Sequence, residues 1–125
     1  MKKIIITGMI IASGMALLFS CNKGSEDVLK ASTNCDTTAV SFSAQIVPIL
    51  QNNCYRCHGS GNTGSGAGIL LEGYSNVKTW VDNNYLVNVV KGSSGYILMP
   101  YGGPKMSDCN VNTIAAWVNQ GAKNN

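Results

Sequence analysis

The chain has 125 residues, of which 45% are hydrophobic and 12% charged, and its formal net charge is +3. This length suits one small domain, because a second hydrophobic core would need more chain. The few positive charges are scattered, which excludes the basic stripe of a nucleic-acid-binding protein. Apolar residues along most of the length exclude a disordered chain.

The N-terminal segment, residues 1–20, has the pattern of an export signal. Two lysines precede an apolar stretch over 4–19, which is shorter than the about 18–20 apolar residues of a membrane span. The stretch ends in Ser20-Cys21, and a small residue directly before a cysteine resembles the lipobox of bacterial lipoproteins. That resemblance implies cleavage before Cys21 and lipid attachment at Cys21. An ordinary signal peptide and an uncleaved anchor helix are the alternatives.

The rest of the chain is predicted to form a lipidated polar tether, residues 21–34, and one globular domain, residues 35–125. Within 41–53 the apolar residues recur at helical spacing, with Pro48 either after an irregular first turn or at a kink. The members of that apolar face are Phe42, Ile46, Ile49 and Leu50.

Three further helices are predicted after a glycine-rich loop at 59–68. Ser75 is expected to cap the first, which carries Val77, Trp80 and Val81. The second carries Leu86, Val89 and Val90 and stops at Gly92. Ser107 is expected to cap the last, with Val111, Ile114, Ala115 and Val118 facing inward and Gly121 at its end. No alternation typical of a strand is visible, and the predicted fold class is all-α.

The motif that carries chemistry is Cys54-Tyr55-Arg56-Cys57-His58, the Cys-x-x-Cys-His pattern of c-type haem attachment. Two cysteines three residues apart can each form a thioether with one vinyl group, and the histidine that follows can bind the iron through a ring nitrogen. Three other interpretations compete. A thiol redox pair would follow a strand rather than a helix. A zinc site would need four cysteine or histidine ligands, and His58 is the only histidine in the chain. A Cys54–Cys57 disulfide would leave His58 unexplained.

The chain resembles the small class I c-type cytochromes, particularly the lipid-anchored monohaem domains of bacterial cell envelopes. The matching stretches are 41–50, 54–58, 68–71, 99–103 and the C-terminal helix with Trp117, so the resemblance covers 35–125. It implies an all-α domain wrapped around one covalently attached haem c. Many members have a proline soon after the motif whose carbonyl orients the histidine. Here no proline lies between His58 and Pro100, so the orienting carbonyl is not identified.

The sixth iron ligand is expected to be a methionine. Removal of the export signal leaves Met99 and Met106, and the proline after Met99 biases it towards an extended conformation. Met99 also matches the Met-Pro-x-Gly-Gly loop of the family, so it is the predicted ligand. Met106 is the alternative, and ordinary core packing remains open for both methionines.

Two cysteines, Cys35 and Cys109, remain after one lipid site and two thioethers are subtracted from five. In an oxidising compartment they are expected to form a disulfide, with two free thiols as the alternative. The expected haem-pocket residues are Ile69, Leu70, Leu71, Trp80 and Tyr101.

Histidine and methionine ligation together would leave iron no open position, so an electron carrier rather than an enzyme is expected. Its partners would be other redox proteins of the bacterial cell envelope. The lipid would anchor the domain to a membrane, and the domain would face the periplasm or the cell surface. The alternatives are a peroxidase-like haem enzyme or gas sensor with a labile sixth position, and a haem-bearing subunit of a larger oxidoreductase.

Overall fold

The computed structural model describes residues 35–125; the expected export signal, Cys21 and the tether lie outside the described residues. The described part contains helices and no strand, so the predicted all-α class is confirmed. None of these helices is long and apolar enough to cross a lipid bilayer. A π-helical segment, Phe42–Ile46, runs into α1 (Val47–Asn53), which is followed by α2 (Tyr55–His58), α3 (Tyr74–Asp82), α4 (Tyr85–Lys91) and α5 (Asp108–Asn119).

The first helical stretch begins with an irregular turn, as one of the two interpretations of Pro48 requires. The Ser41 side chain accepts a hydrogen bond of 3.3 Å from the N–H of Ala44, capping the π-helical segment. Pro48 then lies in the first turn of α1, where a missing N–H costs no helical hydrogen bond. Ile46 and Leu50 are completely buried, so this stretch turns its apolar face to the core.

The start of α3 differs from the prediction, because Gly73 rather than Ser75 precedes the helix. Gly73 has a φ of +88°, a conformation that glycine adopts without steric cost. The chain therefore turns into the helix two residues earlier than expected. The carbonyl of Ser75 already accepts a hydrogen bond of 3.1 Å from the Thr79 hydroxyl, inside the helix.

Helices α4 and α5 end and begin where the sequence predicts. Gly92 closes α4 in the left-handed conformation, and the Ser107 side chain accepts from the N–H of Asn110 at 3.2 Å to cap α5. The inward face of α5 is rotated relative to the prediction. Its buried residues are Val111, Thr113, Ile114 and Trp117, whereas Ala115 and Val118 are half-buried.

Three aromatic rings join the π-helical segment, α3 and α5. The Phe42 ring lies 5.2 Å from Tyr74 and 5.4 Å from Trp117, measured between centroids. The Trp117 indole donates to the carbonyl of Lys123, and the Tyr74 hydroxyl donates to that of Ala122, both at 2.9 Å. Since these polar atoms are paired, the three large rings are packed in the core without an unsatisfied donor.

A disulfide between Cys35 and Cys109 joins the start of the domain to the first turn of α5, as the cysteine count predicts. The two Cα atoms lie 5.4 Å apart, within the usual range for a disulfide. The bond closes a loop of 74 residues.

Replacing both cysteines, Cys35→Ser with Cys109→Ser, is expected to lower the free energy of unfolding by roughly 4 kcal/mol, because a loop this long restricts the unfolded chain strongly. Urea denaturation followed by circular dichroism measures the change. Reductant should destabilise the parent by a similar amount and the variant not at all. Equal stability of parent and variant would contradict the prediction.

Candidate functional site

The Cys-x-x-Cys-His motif forms a single helical turn at the junction of α1 and α2. Cys54 ends α1 and precedes α2, while Cys57 and His58 lie within α2. The Cys54 carbonyl accepts from the N–H of Cys57 at 3.1 Å and from that of His58 at 2.9 Å. Both cysteines are half-buried with free thiols. The turn therefore brings two thiols and one imidazole together without requiring any distant contact.

The His58 ring is oriented by a main-chain carbonyl from further along the chain. His58 Nδ1 lies 3.1 Å from the carbonyl oxygen of Ile69. A carbonyl can only accept, so Nδ1 carries the proton and Nε2 of the neutral ring keeps its lone pair. The sequence identified no acceptor for this ring nitrogen, and the structure shows that it is the Ile69 carbonyl.

The glycine-rich loop after the motif returns to it through two further hydrogen bonds. The N–H of Leu71 donates to the carbonyl of His58 at 2.8 Å, and the N–H of Ser60 donates to the Glu72 carboxylate, also at 2.8 Å. The Ser60 N–H holds the pKa of the Glu72 carboxyl below its usual range. The hydrogen bond therefore favours the ionised carboxylate, which joins the two ends of the loop.

Burial raises the pKa of the Cys54 thiol to about 11. A redox-active Cys-x-x-Cys pair depends on a thiolate near neutral pH, which a lowered pKa provides. Cys54 has the opposite environment, and a helix rather than a strand leads into it. Both observations disfavour the thiol redox interpretation.

A zinc site is also disfavoured by the described residues. Residues 35–125 contain no group of three or more histidine, cysteine, aspartate or glutamate side chains placed to hold a metal ion. His58 is the one histidine of the chain. A structural zinc site normally needs four such ligands.

The two candidate methionines lie in different environments. Met106 is only 5% exposed and belongs to the hydrophobic core, whereas Met99 is half-buried against it. The N–H of Met99 donates to the carbonyl of Val89 at 2.9 Å, which fixes its loop to α4. Core packing therefore describes Met106, whereas the Met99 side chain packs against the core and stays partly exposed.

The five expected pocket residues are distributed unevenly. Leu71 is buried in the core, while Ile69, Leu70 and Trp80 are half-buried. Tyr101 is 80% exposed. The Trp80 ring packs edge-on against Tyr85, with centroids 5.7 Å apart. The structure thus brings Ile69 to His58 directly, through its carbonyl, but leaves the Tyr101 side chain in solvent.

A cleft of about 260 Å³ lies elsewhere and includes none of the expected site residues. Its walls come from the segment before the first helix, from the end of α5 and from the C-terminal segment that follows it. They are Thr38, Ala39, Val40, Trp117, Gln120, Lys123 and Asn125.

Sequence reasoning missed two groups at His58. Ile69 was expected as an apolar wall and acts instead through its carbonyl, and Gly66 is buried next to the ring. The only signal was the loop's position directly after the motif. Gly66 is one of five glycines within 59–68, and no local pattern distinguishes it from the others.

No family model, no curated protein and no solved structure matches this chain.

The raised pKa of Cys54 predicts slow alkylation of haem-free protein in which Cys21 and Cys57 are replaced by serine. Because only the thiolate reacts, the rate with iodoacetamide should rise about tenfold per pH unit from neutral pH towards the pKa. The unfolded protein is the control, and its rate should level off near the ordinary cysteine pKa of about 8.5. A rate in the folded protein that is already pH-independent at neutral pH would contradict the prediction.

Proposed function

We propose that this protein is a monohaem c-type cytochrome that carries single electrons. The observation that carries the proposal is the arrangement of Cys54, Cys57 and His58. The two thiols are free and lie on one turn with an imidazole whose Nδ1 is paired, so Nε2 is the nitrogen available to a metal. A haem c held by these residues would supply the one-electron redox chemistry.

The donor set fits a haem and gives each residue one role. Cys54 and Cys57 would form the thioethers, and His58 would bind the iron through Nε2. Met99 is the proposed sixth ligand, because Met106 is buried in the core. A thioether ligand favours ferrous iron and raises the reduction potential, as suits an electron carrier.

Exposed apolar residues near Met99 add support. The large hydrophobic residues with exposed side chains in the described part are Tyr85, Ile97, Leu98 and Tyr101. Three of the four lie within two residues of Met99 in sequence, so exposed apolar side chains flank the proposed ligand along the chain. We assign some of these side chains to contact with the apolar face of the porphyrin.

The proposed location is the bacterial cell envelope, with a lipid on Cys21 as the membrane anchor. The Cys35–Cys109 disulfide supports export, because such bonds persist in oxidising compartments. The proposed partners are envelope redox proteins that donate and accept the electron.

The absorption spectrum of the purified full chain, produced with the haem-attachment machinery, tests the function. The reduced protein should show a low-spin c-type spectrum that carbon monoxide leaves unchanged, and the haem should resist acid–acetone extraction. Rapid binding of carbon monoxide would favour the enzyme or gas-sensor alternative. Absence of covalent haem would overturn the proposal.

Met99→Ala should keep the covalent haem while opening the sixth position. Carbon monoxide should then bind to the reduced protein, the weak red absorption band of iron–sulfur ligation should disappear, and the potential should fall. Met106→Ala is the matched control and should keep the band. It should lower the free energy of unfolding by about 2–5 kcal/mol, because it empties a core position. The reverse pattern would assign the iron to Met106.

Cys21→Ser should release the protein from the membrane fraction without loss of haem. The reason is that stable anchoring depends on the attached acyl chains, whereas haem attachment depends on residues 54–58. Fractionation with in-gel haem staining measures both properties. A variant that sediments with membranes as firmly as the parent would contradict the lipoprotein proposal.

A further inference from the structure

Gly66 lies where no side chain fits. It is buried, whereas Gly61 and Gly64 of the same loop are exposed. A Cβ built on Gly66 would lie 2.8 Å from Cε1 of His58 and 2.5 Å from the carbonyl oxygen of Cys57, and it would overlap Nδ1 of His58. Real Cβ atoms essentially never come closer than 3.0 Å to such neighbours.

The reason for glycine at this position is space rather than backbone conformation. Positive φ angles occur at Ala67 and Gly68 but not at Gly66. A residue with a Cβ could therefore adopt the backbone angles of position 66. It could not do so with the His58 ring in its present place.

The turn that brings Gly66 to the ring also supplies the hydrogen-bond acceptor. The N–H of Gly66 donates to the carbonyl of Thr63 at 3.1 Å, and its own carbonyl accepts from the N–H of Ile69 at 3.0 Å. Ile69 in turn offers its carbonyl to His58 Nδ1 at 3.1 Å. The contact with the ring and the hydrogen bond to the ring thus belong to one hydrogen-bonded turn of the backbone.

We propose that Gly66 is the positioning residue of His58. Its bare Cα lets the loop pack against the imidazole, which fixes the rotation of the ring and keeps Nδ1–H on the Ile69 carbonyl. The inference rests on the proposed haem function. In this chain the Ile69 carbonyl, held in place by the packed glycine-rich loop, takes the position of the proline carbonyl in the cytochromes that the sequence resembles.

The consequence for the site is electronic as well as steric. A hydrogen bond from Nδ1–H increases the electron density on the imidazole and makes it a more basic ligand. A methyl group at position 66 must displace the ring or the loop, which weakens that bond. Reduced basicity stabilises ferric iron less, so the reduction potential should rise.

Gly66→Ala tests the proposal, with Gly64→Ala as the matched control in the same loop. A Cβ at Gly64 would meet nothing within 4 Å. Both variants are made in the full haem-loaded chain. Three properties are compared with the parent: the proton shifts of the haem methyl groups in the oxidised protein, the exchange rate of the His58 Nδ1 proton in the reduced protein, and the reduction potential.

Gly66→Ala should reorder the haem methyl shifts, which report the orientation of the imidazole plane. It should raise the potential and speed the exchange of the Nδ1 proton by about fivefold, the factor that corresponds to one ordinary hydrogen bond. Gly64→Ala should match the parent in all three. A Gly66→Ala protein with unchanged shifts, exchange and potential would overturn the inference while leaving the haem function intact.

The parent protein provides a second measurement if Gly66→Ala does not accumulate. In the reduced state, a nuclear Overhauser effect between the Gly66 Hα protons and the His58 Hε1 proton is expected. Its absence in a protein that holds covalent haem would overturn the inference alone. A parent without covalent haem would overturn the proposed function, and the inference with it.

Discussion

The hydrogen bond between His58 Nδ1 and the Ile69 carbonyl is the contact on which the candidate site depends. A free imidazole can rotate and can carry its proton on either nitrogen. Pairing Nδ1 with an acceptor restricts both freedoms and leaves Nε2 as the ring nitrogen without this contact. The protein's own contacts keep the ring and its acceptor in place. The N–H groups of Leu71 and Ser60 donate hydrogen bonds that hold the loop closed from either end.

The site and the core are built by different kinds of contact. The motif is one turn of local helix followed by a loop that returns through main-chain hydrogen bonds. The core relies on long-range contacts, chiefly the packing of Phe42 against Tyr74 and Trp117 and the disulfide that holds Cys35 to α5. Substitutions in that cluster should therefore act on stability, whereas changes in the loop should act on the orientation of the His58 ring.

The sulfur atoms of Cys54, Met99 and Met106 lie in different environments. Cys54 has a raised pKa because it is buried, which disfavours a role in disulfide exchange. Met106 is buried in the core, and Met99 stands half-buried in a loop fixed to α4 through Val89.

The sequence by itself determined the helical class, the caps at Ser107 and Gly92, the Cys-x-x-Cys-His pattern and the pairing of Cys35 with Cys109. These follow from local spacing, from the backbone preferences of single residues or from counting, so they need no knowledge of distant contacts. Two sequence-based predictions were wrong: the cap of α3 at Ser75 and part of the buried face of α5. The path of the chain into a helix and the burial of each helix face depend on what packs there.

Only the tertiary structure showed which carbonyl pairs with His58, which methionine is buried in the core, and that Gly66 has no room for a side chain. The donor and acceptor at His58 are separated by 11 residues of flexible sequence. Five glycines in that loop allow many backbone paths, and local propensity cannot choose among them. The choice is made by the close packing of the returning chain against the imidazole, which is a property of three-dimensional contact and leaves no periodicity in the sequence.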